Sequence, residues 1–454
     1  MDQKINYYST NQLSPLVSFS EALMRGQAPD IGLYMPTHIP SLGTNILLNM
    51  AGMNYQQIAF HVLYAFLKDE IHKNVLLELV TEAYDYAVPL EKVYERKYIM
   101  RLDRGPTASF KDFAARMMAR LMSHYLSKSE RRLLILTATS GDTGSAIANA
   151  FHGLDNINVL VLFPETEVTT RQRKQMTTLG GNISVLAIDG KFDDCQAMVK
   201  KAFADPDLAQ LDLSSANSIN IGRLLPQAVY YFYAWAMLRK HQNEKAIFVV
   251  PSGNFGDLMG GMIAWRMGLP VERIVVAVNE NDEFPEFLKS GEYAKIEPSR
   301  NCISSAMNVG HPSNLARLVD LYGGKMDEKG NINMMPDIIS MNKDLYAVSV
   351  SDNLTKKSIT DAWHKHDLLL EPHGAVGWAG LNDYLASSKQ DLGQKLFVVL
   401  ETAHPAKFPE QIERILGFDP EPPASLAGIE NKEEHYLFIQ NNYEQFKTHL
   451  LKNY

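Results

Sequence analysis

The sequence predicts an α/β protein with two parallel-sheet domains and a mainly helical N-terminal domain. Three observations carry this. At 454 residues the chain is too long for one small core, and two or three domains are expected. From residue 131 onward, apolar runs of strand length alternate with helical segments, the pattern of a parallel sheet covered on both faces. The first 95 or so residues lack that alternation and read as helices joined by loops.

In chain order, Asn54 to Leu67 is an amphipathic helix and Val75 to Tyr86 a second, closed by Val88-Pro89. Lys97 to Leu102 reads as a strand. Phe113 to Leu121 forms a helix without breakers, directly after the small-residue run Gly105 to Asp112. The first alternating block, 125–200, holds strands at Leu133 to Thr139, Asn158 to Phe163 and Ile183 to Ile188. Its helices are Ser145 to Phe151, a polar helix ending at Leu179, and Phe192 to Ala204. The second block, 205–415, opens with a helix from Ile219 to Lys240. Strands follow at Ala246 to Val250, Ile274 to Val278, Leu345 to Val350 and Leu396 to Leu400, with a helix to Met267 after the first of them. The tail after Pro423 ends in an amphipathic helix with no visible chemistry.

Hydrophobic residues make up 46% and charged residues 21%, the balance of an ordinary globular protein. A net charge of −8 argues against broad attraction to nucleic acid or anionic membrane and leaves only local cationic pockets. The two cysteines, Cys195 and Cys302, exclude a cysteine-based zinc module and a disulfide framework and suit a reducing cytosol. The N-terminal stretch from Met1 to Tyr8 has no apolar signal region and no window approaches a membrane span, so a cytoplasmic location is expected. No long extension precedes the first helical region, so an added effector domain is not expected.

Four segments carry chemistry. Thr139-Ser140-Gly141-Asp142-Thr143-Gly144-Ser145 turns from a strand into a helix and presents hydroxyls and helix-start N–H groups suited to a carboxylate or phosphate; alone it also reads as an ordinary N-cap. Pro251-Ser252-Gly253-Asn254-Phe255-Gly256-Asp257 is a second such turn. It lacks the spacing of a P-loop or a dinucleotide fingerprint and suits a single terminal phosphate, or no ligand at all. Glu401 to Phe408 places Thr402 at a strand's carboxyl end, with His404 either a base or, more simply, a turn residue. Ser214 to Arg223 gathers amide, hydroxyl and guanidinium donors around a helix start, as a second anion site or a polar cap. Lys111, at the start of the breaker-free helix, would by itself be a surface lysine.

Taken together and in this order, Ser109 to Phe113, Thr137 to Gly144, Ser214 to Asn220, Pro251 to Asp257 and Thr402 to Phe408 resemble pyridoxal-phosphate enzymes of the tryptophan-synthase-β fold type (fold type II), and within them the threonine synthases. Leu13 to Pro36 resembles that family's N-terminal domain, and the likeness runs from about residue 5 to 420. It implies a large cofactor-binding domain from 96–124 and 205–420, a small domain at 125–204, an N-terminal domain at 1–95 and a tail helix at 421–454.

The resemblance also implies roles. Lys111 would form the internal aldimine with pyridoxal 5'-phosphate, which requires a free amine. Ser252, Gly253, Asn254, Phe255 and Gly256 would hold the cofactor phosphate through backbone N–H groups, with Asp257 completing the cofactor-binding set. Thr402 would meet the pyridine nitrogen, and a neutral hydroxyl there should leave that nitrogen largely unprotonated. Ser140, Gly141 and Thr143 would hold the substrate carboxylate. Asp142 stands where several related families carry asparagine, which leaves its contact to the cofactor open. Asn217, Ser218 and Arg223 match the spacing of substrate-phosphate ligands, with Thr107 in addition. The substrate implied is O-phospho-L-homoserine and the products are L-threonine and phosphate. Rival readings are a phospho-lyase giving a 2-oxo acid, a dehydratase acting on serine or threonine, and a non-catalytic phosphate-binding module. The sequence leaves monomer or homodimer open.

Overall fold

The structure is a computed structural model that describes residues 4–127, 129–389 and 391–454; the first three residues of the N-terminal stretch read above lie outside it. Its frame is two mainly parallel sheets. The larger has six strands in the order Leu345–Ser349, Val271–Val278, Ala246–Pro251, Leu396–Glu401, Lys97–Arg101, Leu90–Tyr94, all neighbours parallel except the last pair. The smaller has five parallel strands in the order Leu437–Gln440, Ile183–Asp189, Ile157–Pro164, Leu133–Ala138, Leu213–Ser214.

The central strands owe their place to composition. Ala246–Pro251, Leu396–Glu401 and Leu133–Ala138 are buried at every position, as continuous apolar runs require when helices cover both faces. The helix Pro372–Ser387 packs on the large sheet, and Phe192–Ala204 packs on the small one. The N-terminal region is helical around Tyr55–Leu67, which starts in a capping box between Asn54 and Gln57. It also carries a short antiparallel ribbon, Tyr7–Ser9 with Tyr34–Pro36.

Some elements differ from the sequence reading. The helix expected from Val75 to Tyr86 runs Lys73–Ala83, with the His72 side chain accepting at its start. The long helix expected from Ile219 to Lys240 is three pieces: Ile221–Leu224, a 3₁₀ turn Leu225–Gln227, and Ala228–Leu238. Pro226 supplies no N–H and cannot continue an α-helical ladder. Leu90–Tyr94 was not anticipated because it is only half-buried and shows no clean alternation. The tail contributes a strand, Leu437–Gln440, as well as the helix Tyr443–Asn453.

The tail closes a core on the small sheet. Ile439, Phe446 and Leu450 are buried in one cluster with Leu160, Leu162, Leu186, Cys195 and Met198. Truncating a fully buried phenylalanine costs roughly 3–5 kcal/mol. Phe446→Ala is therefore expected to lower the unfolding free energy by about that amount and to make Cys195 reactive toward a thiol reagent under native conditions. Unchanged thiol protection in the variant would show that the tail does not seal this core.

Candidate active site

The four motif segments lie at the carboxyl ends of their strands, and hydrogen bonds join them. Lys111 opens the helix Lys111–Leu126. The chain before it is docked on the end of Leu396–Glu401: Leu102 N–H donates to the Glu401 carbonyl (3.0 Å), Phe110 N–H to the Thr402 carbonyl (2.8 Å), and His404 N–H to the Ala108 carbonyl (3.0 Å). Ala108 takes a left-handed φ of +54° to make this turn. Asp112, buried, clamps the run by accepting from Thr107 N–H (2.9 Å) and Thr107 Oγ1 (2.6 Å). A side chain at Gly105 would place its Cβ 2.4 Å from Asp112 Oδ2, so the clamp needs glycine there. The Thr107 hydroxyl, expected near substrate phosphate, is thus spent on Asp112.

The Lys111 side chain is 13% exposed and its Nζ lies 3.7 Å from Asp142 Oδ2, over the Phe110 ring. Burial pulls its ammonium pKa below the usual lysine range; the Asp142 carboxylate opposes this, and the nearby Lys407 and Arg223 cations reinforce it. Asp142 itself bonds Lys407 Nζ at 2.6 Å and accepts from Gln172 Nε2 at 2.9 Å. Burial pushes its carboxyl up, but the two lysine cations and these bonds outweigh burial and hold it well below the ordinary carboxylate range. Lys407, fully buried, also donates to the Thr107 carbonyl (2.8 Å). The sequence reading quoted Lys407 without giving it a role.

The first glycine turn is rigid. Gly141 sits at φ +126°, and a Cβ there would meet the Gln172 side chain at 2.6 Å. Thr139 Oγ1 accepts from Gly141 N–H (2.9 Å) and Gly144 N–H (2.8 Å), while the amides of Ser140, Asp142 and Thr143 donate to nothing among the described residues.

In the second turn, the Ser252 N–H expected among the phosphate donors is instead bonded to the Ala277 carbonyl (2.8 Å). The N–H groups of Gly253, Asn254, Phe255 and Gly256 donate to nothing among the described residues. Phe255, at φ +60°, turns them toward a common side at the start of the helix Gly256–Arg266, a cradle for one anion. Gly253 cannot carry a side chain, because its Cβ would lie 2.9 Å from Met307 Cα. The Asp257 carboxylate points away from this cradle, accepting from the hydroxyls of Tyr230 (2.5 Å) and Tyr231 (2.7 Å).

The second anion segment touches both turns. Asn217 Nδ2 reaches the Ala138 carbonyl (3.4 Å), and its Oδ1 is buried without a partner. Ser218 Oγ accepts from Asn254 Nδ2 (2.5 Å), which leaves its own proton to donate. Arg223 is buried, gives Nη1 to the Ala216 carbonyl (2.7 Å) and keeps an unpartnered Nε. Burial pulls its guanidinium down to about 10, so it remains a cation at neutral pH. Arg317, fully buried, fixes this loop by donating to the carbonyls of Ser218 (3.2 Å) and Ile219 (2.6 Å), a role with no local sequence signal.

Thr402, 6% exposed, donates its hydroxyl to Glu371 Oε1 at 3.3 Å. Glu371, Glu401 and His373 are buried beside it, and none was singled out from sequence. His404 caps a short turn through Ala406 N–H (3.2 Å); burial pulls its imidazole down to about 4, so it is a neutral turn residue. The residues present fit a phosphorylated aldehyde cofactor: a buried amine, a cradle of unpartnered amides and a hydroxyl for a ring.

Known proteins share the sequence and the fold of this chain. A family model described as pyridoxal-phosphate dependent enzyme matches residues 87–402, one described as threonine synthase N terminus matches 6–84, and one described as threonine synthase, C-terminal, matches 374–450. The threonine synthase of Haemophilus influenzae is 39% identical over 99% of this chain and 100% of its own, and that of Escherichia coli 38% identical over 92% and 93%. A pyridoxal-phosphate-bound threonine synthase structure from Brucella melitensis superimposes with a TM-score of 0.91 at 33% identity, covering 98% of each chain.

Asp257 gives a pH test. Burial pushes its carboxyl up to about 6, against 3.8 ordinarily, with the two tyrosine hydroxyls opposing. The folded chain therefore binds more protons than the unfolded chain between these values. The contribution of this group is fully present below about 4 and is lost as pH rises through about 6. In Asp257→Asn, one oxygen can still accept both hydroxyls while the charge is gone. Above pH 6 the variant is expected to equal or exceed the parent, the two curves diverging by up to about 2–3 kcal/mol between pH 4 and 7 in urea unfolding. Parallel curves would contradict this assignment.

Proposed function

The chain belongs to the threonine synthases, a family of pyridoxal-phosphate-dependent enzymes, and from that premise we propose that it converts O-phospho-L-homoserine and water into L-threonine and inorganic phosphate. The observation that carries this reading is that one chain supplies a buried amine, Lys111, and two adjoining sets of anion donors: the amide cradle at Gly253 to Gly256 and the Asn217, Ser218 and Arg223 cluster. A lyase or dehydratase acting on an unphosphorylated amino acid needs the first and has no use for the second.

In this reading Lys111 attaches the cofactor, Gly253 to Gly256 hold its phosphate, Thr402 meets its ring nitrogen, and Asp142 lies at its ring edge. Bound there, the cofactor supplies a sink for the electrons released when the substrate's α-proton is removed. Lys111 Nζ, whose ammonium form burial and two neighbouring cations disfavour, takes that proton. Once Nζ has given that proton up, the same amine accepts a β-proton; the two protons end on the α- and γ-carbons of the product, and the second proton of the added water leaves with the phosphate. Arg223 Nε, Ser218 Oγ and Asn217 hold the γ-phosphate as it gathers charge on leaving. Water then adds at the β-carbon. Amides of Ser140, Asp142 and Thr143 keep the substrate carboxylate fixed throughout.

The pure protein is expected to show a visible absorbance band that borohydride bleaches and that Lys111→Ala lacks. Phosphate and threonine should be released in equal amounts from O-phospho-L-homoserine. Phosphate without threonine would favour the phospho-lyase, and a colourless protein would remove the cofactor from the reading. Arg223→Leu removes a charged hydrogen bond worth about 3 kcal/mol in a buried site, so kcat/KM should fall about a hundredfold with the absorbance band intact.

A further inference from the structure

We infer that Glu371 sets the direction of the Thr402 hydroxyl, so that Thr402 offers a lone pair to the cofactor's ring nitrogen and the nitrogen is held protonated. The inference rests on the reading of Thr402 as the ring-nitrogen partner, and it reverses the expectation that a neutral hydroxyl leaves that nitrogen bare.

Glu371 is the N-cap of the helix Pro372–Ser387 and is fully buried. Its carboxylate faces four donors. Oε1 accepts from Gly374 N–H (2.9 Å) and from Thr402 Oγ1 (3.3 Å), the longest of the four; Oε2 accepts from His373 N–H (2.7 Å) and meets His373 Nδ1 at 2.5 Å. The imidazole's role is fixed at its other end, where Nε2 accepts from Ala306 N–H at 3.0 Å. Nε2 therefore carries no proton, and Nδ1 is the donor.

Thr402 and three N–H groups all donate to Glu371, so its two oxygens act only as acceptors. The neighbouring acid, Glu401, takes the proton that the pair must keep. It is fully buried, accepts from Glu371 N–H at 3.0 Å, and lies 3.6 Å from Arg101. Burial, and then the charge of Glu371, push its carboxyl well above the ordinary range.

A hydroxyl has one proton. With that proton given to Glu371, Thr402 can only accept, and a ring nitrogen facing it is bonded only as N–H⁺. The buried negative charge one residue further out stabilises the same form. The relay extends to the other end of the cofactor site. Through His373, Glu371 fixes Ala306, and the adjoining Met307 backbone is the surface against which Gly253 packs. Glu371 is thus a positioning residue for both ends.

The test is the ¹⁵N chemical shift of ring-labelled pyridoxal phosphate in the loaded enzyme. The parent and Thr402→Ser should resonate in the pyridinium range; Thr402→Val and Glu371→Gln should move to the free-pyridine range. A parent resonance in the free-pyridine range overturns the inference. A shift in Thr402→Val without one in Glu371→Gln also overturns it while leaving Thr402 as the ring partner. No change in Thr402→Val would remove that partner reading and the inference with it. Should Glu371→Gln fail to fold, Glu371→Asp, whose shorter side chain withdraws the carboxylate from the Thr402 hydroxyl, takes its place with the same two outcomes.

Discussion

The site depends on how the run from Leu102 to Phe110 is laid along the end of one strand. Three backbone hydrogen bonds to Glu401, Thr402 and from His404 set Lys111 and Thr402 in a common register before any side chain contributes. Main-chain bonds of this kind leave a segment few alternatives, because each buried N–H or carbonyl that slipped would lose its partner. The left-handed turn at Ala108 and the Asp112 clamp are the local strain and the local restraint that this register requires.

Charge is distributed around that frame in pairs that do not cancel. Lys407 bonds Asp142 Oδ1 at 2.6 Å, while Oδ2 of the same carboxylate faces Lys111 at 3.7 Å. For Lys111, burial together with the Lys407 and Arg223 cations outweighs the Asp142 carboxylate beside it. On the far side of Thr402, Glu371 gathers four donors, while Glu401 accepts from the Glu371 N–H with Arg101 3.6 Å away. Both halves rest on a burial cost met by directed hydrogen bonds, the condition under which buried ions persist.

Much of this was legible in the sequence. The strands that read most clearly, such as Leu396–Glu401 and Leu133–Ala138, are those buried on both faces, where an unbroken apolar run has no other use. The glycine turns read correctly as strand-to-helix turns because Gly141 and Gly253 have no room for a side chain. Donor assignments within those turns were less legible. Whether the amide of Ser252 or the hydroxyl of Thr107 is free depends on partners at Ala277 and Asp112, and motif composition does not report that. Lys407 and Arg317 act through contacts distant in sequence, so no local pattern marks them; Glu371 before Pro372 is legible as a helix cap, but its contact to Thr402 and that of His373 to Ala306 are not. Pro226 was a readable signal; the apolar run around it masked the break it makes.

The strand Leu437–Gln440 lies at one edge of the small sheet, paired in parallel with Ile183–Asp189. Everything belonging to the large sheet after residue 213 is made by the ribosome between these two neighbours. While the large sheet is being synthesised, the small one has an open edge and an uncovered apolar face at Leu160, Leu186 and Met198. Open edges and long-range pairings slow folding and invite association with other chains. The chain's most vulnerable period is therefore set by topology, and a chaperone that binds apolar strand edges would find its target in the half-made small sheet, far from the site.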